Sequence, residues 1–527
     1  MIFELVIDIL QSSAFRIIIL VALSVVLYGA LRGPQVHRGY PLIGFDMKDG
    51  YSRGLAKAQQ QWIANGKDLI NQGLAQASFQ VSNLPNATDI LPSSPVASKC
   101  SPRLDLSLSC LIDLHTRYAT TLGLISVVLY PLTTKYPSTL DLIIEELADE
   151  TDKAVDELFG NPEDWTEITY KPGLLKLVSR ISSRVFVGPE LCENEDWKNI
   201  STEYAVAAFV AARTLRQWNF TLRPIVHWFL PECRQLRATL AQAREILKPV
   251  IKKRRDENRH RREHGESQSK VADTIGWMDE AAKGKPYDAA VAQIGLSLAA
   301  IHTTTEMISG LISDLCANPE YFEPLREEIN LALAGKGWSK KALQDLKLMD
   351  SAMKESQRHH LGDIGTHHLL SSLGPPCGNL LTKHWHLAAM NRMTVSPVTL
   401  SDGTQIPKGA LTMVDISKMH DASVFPDPHS YKGDRFFQMR QEPGQEQRWQ
   451  FVSTAPEHLA FGHGKHACPG RFFAANEIKV ILIFLLMNYD WKFTAEGRKA
   501  DKSFGQETDT DPTAKAMIRR RKQRVAL

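Results

Sequence analysis

At 527 residues, 43% hydrophobic and 23% charged, the chain has the composition of a globular protein, able to bury a large core as one unusually big domain or several ordinary ones. A formal net charge of only +3 argues against a dedicated nucleic-acid binder; the basic clusters at 252–263 and 518–524 read as a solvated helix face and a tail, with an anionic membrane or acidic partner as the alternative. Seven cysteines at irregular spacing, none in a CxxC pair, argue against a disulfide framework and place the body in a reducing compartment.

The N-terminus carries an apolar run from Ile17 to Leu31, 15 residues, which spans a bilayer if Ala14–Phe15 join it and Arg16 snorkels. Glu4 and Asp8 before the run and Arg32, His37 and Arg38 after it fit an uncleaved signal anchor over 1–32 with the rest cytosolic; the competing reading is a cleaved signal peptide. The sequons at Asn86, Asn199 and Asn219 would then go unused. A Pro/Gly hinge follows over 33–48, and 49–527 forms the main body. Residues 138–360 are dominantly helical in pattern, as in "TLDLIIEELADETDKAVDELF" and at 236–247. "PEYFEPLREEINLALAG" opens on Pro319 and closes on Gly335, as a helix should. In 396–415, Asp402-Gly403 predicts a hairpin turn, and a long apolar helix follows Gly470. The fold class is mainly α with a small β region, α+β in one body.

Two stretches show neither period. Residues 82–112 are rich in Ser, Pro and Leu. Residues 359–386 hold six histidines, Cys377 and a Pro-Pro, at a spacing that matches no zinc template.

The chemistry concentrates in "FGHGKHACPG", 461–470, where one cysteine sits among glycines at the head of a helix. Gly462, Gly464 and Gly470 permit left-handed turns and close approach of a flat partner. Backbone N–H groups at a helix start lower a thiol's pKa. A lone thiolate suits a metal needing one strong anionic ligand, as haem iron does; a buried structural cysteine is the plainer alternative.

Phe-x-x-Gly-x-x-x-Cys-x-Gly, met by Phe461, Gly464, Cys468 and Gly470, is similar to the haem-binding loop of the cytochrome P-450 family. The resemblance implies that Cys468 is the axial ligand of the haem iron, with Phe461, Gly464 and Gly470 shaping the loop and His466 where a basic residue meets a haem propionate. "KESQR" supplies Glu355 and Arg358 on one helix face, and Arg435, 33 residues before Cys468, stands where the family's second arginine locks to that pair. "SLAAIHTTTEMISGLI", 297–312, looks like the helix crossing the distal face of the haem. Thr303 matches the threonine that relays protons, and His302 stands where most of the family has Asp or Glu, as an imidazole still able to shuttle protons.

The resemblance covers about 135–360 and 388–527. Segments such as "RVFVGPELCENEDW" look most like fungal, membrane-bound members that oxidise terpenoids, the ent-kaurene-oxidase-like enzymes. It implies a single-pass protein of the endoplasmic reticulum with haem b as cofactor. Electrons come from NADPH through NADPH–cytochrome P-450 reductase, with cytochrome b5 as a further donor. The implied reaction is insertion of one oxygen atom from O2 into a hydrophobic small molecule, held partly by 200–231. The alternatives are a reductase-independent isomerase, dehydratase or peroxygenase, and a vestigial haem-binding membrane protein.

Two departures stand against the family pattern. No tryptophan occurs between Trp62 and Trp165, where the family's Trp-x-x-x-Arg helix belongs, and about 25 residues intervene between Glu-x-x-Arg and "LAAMNRM". Both 82–112 and 359–386 read as translated intron or altered frame.

Overall fold

The computed structural model describes residues 137–360 and 388–522, apart from 217, 219–221, 265–272, 283, 401–402, 409, 465–466 and 505–506, together with Ser24 and Cys100–Pro102. The expected anchor and hinge, most of 82–112, residues 361–386 and His466 lie outside the described residues. No helix among the described residues is long and apolar enough to cross a membrane.

Helices carry the body, as the periodicity predicts. In chain order they are α1 (Pro137–Phe159), α2 (Tyr170–Phe186), α3 (Glu195–Arg216), the short α4 (Arg223–Val226), α5 (Pro231–Glu263), α6 (Thr274–Ala282), α7 (Ala289–Ala317), α8 (Phe322–Leu333), α9 (Lys340–Asp345) and α10 (Lys347–His359). After a small sheet region come α11 (Arg435–Met439) and α12 (Arg471–Asn488).

α7 is the central rod, about 44 Å long at 1.5 Å per residue. Its Asp288 cap accepts from the Val291 backbone N–H at 3.1 Å, satisfying a donor that the first turn leaves free. It is buried on most faces because α2, α3 and α10 pack around it, with lighter contacts to α5 and α12. α12 is apolar all round from Val480 to Met487 and sits in the same core, against α1 and α7.

Strand pairing is antiparallel throughout the described residues. β1 (Cys100–Pro102), β3 (Ala388–Thr394) and β6 (Leu411–Asp415) form one sheet in the order β1-β3-β6; β2 (Thr166–Thr169), β10 (Lys515–Arg520) and β7 (Tyr489–Phe493) form another, ordered β2-β10-β7. The predicted Asp-Gly hairpin pairs β4 (Val398–Thr399) with β5 (Gln405–Ile406), and Gly403 takes φ +87°, which favours glycine. β8 (Lys502–Phe504) pairs with β9 (Glu507–Asp509). The predicted helix at 319–335 is a 3-10 turn, Pro319–Tyr321, running into α8, and Gly335 lies past its end at φ +70°.

The second aperiodic stretch begins later than the sequence suggests. His359 closes α10 and His360 caps it. His360 Nε2 lies 2.9 Å from the buried Asp314 carboxylate of α7, which also accepts from Arg498 at 3.0 Å and Ser356 at 2.7 Å. Burial alone would lower the His360 imidazole, but the Asp314 charge outweighs it and pushes the ring up to about 10. These two histidines therefore belong to the packed body. Part of the first stretch is placed as well: Cys100–Pro102 adds to the edge of β3.

The expected lock between Glu355, Arg358 and Arg435 is formed. Glu355 and Arg358 are fully buried and Arg435 nearly so. Arg358 grips the carboxylate with Nε at 2.9 Å and Nη2 at 2.8 Å, and Arg435 Nε donates to the same group at 3.0 Å. The other nitrogens of Arg435 donate to the carbonyls of Pro426 (2.5 Å), Asp427 (3.1 Å) and Ser430 (3.1 Å). Asp427 takes φ +51° in that turn, a conformation uncommon outside glycine. Burial alone would raise Glu355, yet hydrogen bonds from Arg358 and His359 and the charges of Arg358 and Arg435 hold it well below the usual carboxylate range. Arg435→Leu should therefore destabilise the body by roughly 3–5 kcal/mol, the range for breaking a buried ion pair. Arg435→Lys should not rescue it, because one ammonium cannot serve four acceptors fixed in a planar fork. Urea unfolding of the three proteins checks this; a Lys variant as stable as the parent contradicts it.

Candidate active site

Cys468 lies three residues before α12 begins, in a loop folded back on itself. Its backbone N–H donates to the Phe461 carbonyl at 2.8 Å, and Ala467 N–H donates to Gly464 at 3.1 Å. Gly462 and Gly464 take φ +65° and +74°, so the predicted left-handed turns fall on those two glycines. Gly470 departs from the expectation. It is the α12 N-cap at φ −86°, where any residue fits, and a Cβ there would stand 4.0 Å from the Cys468 sulfur. That distance is ordinary van der Waals contact, so neither the turn nor the room beside the sulfur requires glycine at 470. Phe461 packs edge-on against Phe451, with ring centroids 5.2 Å apart. Arg471 braces the loop, donating to the Cys468 carbonyl at 2.7 Å and to Val452 at 3.1 Å.

The expected lowering of the thiol pKa is only half right. Burial pushes the Cys468 thiol up, and the backbone N–H groups of Gly470 and Arg471, with the Arg471 charge, pull it back only in part. The helix start acts in the expected direction, but desolvation is the larger effect. The protein alone keeps a thiol here, and a bound cation would be needed to displace its proton.

On α7, Thr303 is half-buried, and its hydroxyl donates back to the carbonyls of Ala299 (2.9 Å) and Ala300 (3.2 Å). Back-bonding of this kind relieves the polar cost of a threonine run inside a helix. His302 Nε2 lies 3.0 Å from the Thr202 carbonyl of α3. Among the described residues no hydrogen bond joins Thr303 to Cys468. Their helices are joined one residue further on, where Thr304 Oγ1 of α7 donates to Glu477 Oε2 of α12 at 3.4 Å.

The residues fit a flat macrocycle with a single thiolate ligand. Ala299 is exposed and Leu298, Ala300, His302 and Thr303 are half-buried in the middle of a helix whose Leu296, Ser297, Ile301, Thr304 and Thr305 are buried. Likewise Cys468 to Phe472 are half-buried although α12 beyond Glu477 is buried on all sides. Uncovered strips on these two packed elements fit a group lying between them. The donor set agrees, because no cluster of three or more His, Cys, Asp or Glu able to hold a metal occurs among the described residues. A zinc ion would lack ligands, whereas haem brings four nitrogens of its own and asks the protein for one.

Glu477 was not singled out from the sequence. It is fully buried and accepts from Ser182 Oγ of α2 at 2.5 Å as well as from Thr304. With no cation paired to it among the described residues, burial pushes its carboxyl up to about 8, against a smaller lowering by the two hydroxyls. Only its place nine residues after Cys468, shortly before the apolar run Val480–Met487, could have marked it.

The profile of the family described as Cytochrome P450 matches residues 128–371 and 383–513. Cytochrome P450 monooxygenase 1 of Gibberella fujikuroi is 40% identical over 390 residues, covering 74% of this chain and 83% of that one. Cytochrome P450 monooxygenase adrA of Penicillium rubens is 37% identical over 492 residues, 91% of each chain. Cytochrome P450 monooxygenase bsc2 of Alternaria brassicicola is 35% identical over 506 residues, covering 93% of this chain and 91% of its own. The chain belongs to the cytochrome P450 family. It is an oxygen-incorporating oxidoreductase, a cytochrome P450 monooxygenase with haem as cofactor, fed electrons by a reductase and acting on a hydrophobic substrate.

A raised carboxyl has a signed consequence. Folded Glu477 keeps a proton that the unfolded chain releases above its ordinary value of 4.5, so stability falls as pH rises from about 4.5 to about 8 and stays low above that. Glu477→Gln removes the titration. Its thermal midpoint should gain on the parent's progressively between pH 5 and pH 8, whereas an offset independent of pH would show that Glu477 does not titrate there.

Proposed function

We propose that this chain is a membrane-anchored haem-thiolate monooxygenase in which Cys468 ligates the iron of haem b and Thr303 handles the proton on the distal side. The observation that carries this reading is Cys468 itself: a half-buried thiol beside the N–H groups of Gly470 and Arg471, in the loop that leads into a helix bonded to the helix of Thr303. When bound, the haem supplies the activation of dioxygen that no side chain can provide. The N–H groups of Gly470 and Arg471 favour negative charge on the Cys468 sulfur and hold it in place. His466 lies outside the described residues and stays assigned to a propionate on its place in the loop.

Ala299 and Ala300 leave room above the site. The Thr303 hydroxyl, now spent on its own helix, can rotate outward to donate or accept a proton. Val206, Phe209 and Val210 of α3 are apolar yet only half-buried, as expected of a wall that covers an apolar substrate and excludes water. A terpenoid skeleton of the ent-kaurene kind is the substrate class proposed. Electrons come from NADPH by way of its reductase, with cytochrome b5 as a second donor.

Membrane attachment rests on the apolar run 17–31 and on a second feature. Trp218, Ile225, Trp228 and Phe229 are 43%, 57%, 50% and 72% exposed, all within twelve residues, with the Arg237 guanidinium 4.8 Å over the Trp228 ring. Exposed tryptophans beside arginine suit a lipid headgroup layer. The proposed location is the cytosolic face of the endoplasmic reticulum.

The stretch 362–386 is proposed to be intron-derived. The family match breaks over 372–382, inside it. Sequencing the transcript tests this: a message lacking 362–386 is expected, and one that retains it contradicts the proposal.

The activity is tested by incubating the membranes with reductase, NADPH, isotopically labelled O2 and ent-kaurene. One labelled oxygen atom in a hydroxylated product is expected. Product that forms without NADPH, or without label, overturns the reading.

A further inference from the structure

His302 replaces the acid that the family resemblance leads one to expect, and the structure gives the imidazole a partner that an acid could not serve. Its Nε2 lies 3.0 Å from the backbone carbonyl of Thr202. A carbonyl oxygen only accepts, so Nε2 carries the proton and donates. The bond crosses 100 residues of sequence, from the middle of α7 to the first third of α3. Near its two ends lie the exposed Ala299 and half-buried Ala300 and Thr303 of α7, and the half-buried Val206, Phe209 and Val210 of α3.

We propose that His302 is a positioning residue: its Nε2–H clasps α7 to α3 and so sets how closely the wall of the substrate chamber stands to the helix that bears Thr303. This rests on the reading of these residues as lining the substrate chamber, but the clasp is measurable without it. A proton carrier at this position must release its proton during each cycle, whereas a proton held between Nε2 and a helix carbonyl serves best when it stays. An aspartate or glutamate at 302 would set a carboxylate against a carbonyl oxygen, two acceptors with no proton between them, and would push the helices apart. A glutamine places an amide N–H close to where Nε2–H now lies and can keep the bond.

The test compares His302→Gln, His302→Asp and His302→Leu with the parent, each as the haem-loaded full chain. Backbone hydrogen exchange over 199–210 reads the clasp, and optical titration with 4-phenylimidazole reads the chamber. The Gln variant should match the parent in both. The Asp and Leu variants should exchange α3 amides about fivefold faster and shift the 4-phenylimidazole affinity by a similar factor, the effect of one net hydrogen bond. Their thermal midpoints should move little, since the buried core is untouched. Should the Asp variant fail to fold, the Leu variant carries the comparison by itself.

Unchanged exchange over 199–210 in the Leu variant overturns the proposal. So does the pattern of a proton carrier, in which the Gln and Leu variants divert electrons to peroxide while the Asp variant couples as the parent does. Failure of labelled oxygen to enter a product would count against the monooxygenase reading and leave the exchange result standing.

Discussion

The buried carboxylate of Glu355 is the constraint on which the site depends. A charge with no exposed surface is tolerated only when fully paired, and Glu355 meets that demand by drawing in Arg358 from its own helix and Arg435 from 80 residues away. Arg435 then gathers the carbonyls of 426–430, fixing the chain that leads to the cysteine loop. The helix bearing Glu355 reaches the other walls as well. Ser356 bonds Asp314 of α7, Asp350 accepts from Lys479 of α12 at 2.7 Å, and the same carboxylate accepts from the Phe451 backbone N–H at 2.7 Å. α10 thus holds the threonine helix, the cysteine helix and the loop between them in one register, before any cofactor is considered.

Between the threonine helix and the elements packed on it the protein uses polar groups without formal charge. Thr303, Thr304 and Ser182 are hydroxyls, His302 donates to a backbone carbonyl, and Glu477 keeps its proton to about pH 8. The Cys468 thiol is likewise raised by burial. In a dry interior an unpaired charge is expensive, so joining the helices through neutral donors and acceptors is the stable arrangement. The negative charge the site needs on sulfur arises when a cation binds, and the N–H groups of Gly470 and Arg471 already favour it.

Much of this was legible because it is local. The spacing of Phe461, Gly464, Cys468 and Gly470, the three-residue step from Glu355 to Arg358, the helical period of α1, and the Asp-Gly turn all depend on near neighbours. What sequence could not show was mostly long-range. The bond from His302 to Thr202 joins residues 100 apart, and Glu477 meets Ser182 across 295. His360 looked like the start of an aperiodic insert because its partners, Asp314, Arg498 and Asp501, lie on other elements. The sign of the Cys468 shift was missed for a different reason. A helix start can be read from sequence, but the burial that outweighs it is set by the whole fold.

The most direct test of the central claim is the reduced carbon monoxide difference spectrum of membranes holding the full chain, beside those holding Cys468→Ser. The account predicts the red-shifted Soret band of thiolate-ligated haem in the parent and its loss in the variant, with α-helical content unchanged. A band that survives in Cys468→Ser would contradict it, because the thiolate would then come from another residue.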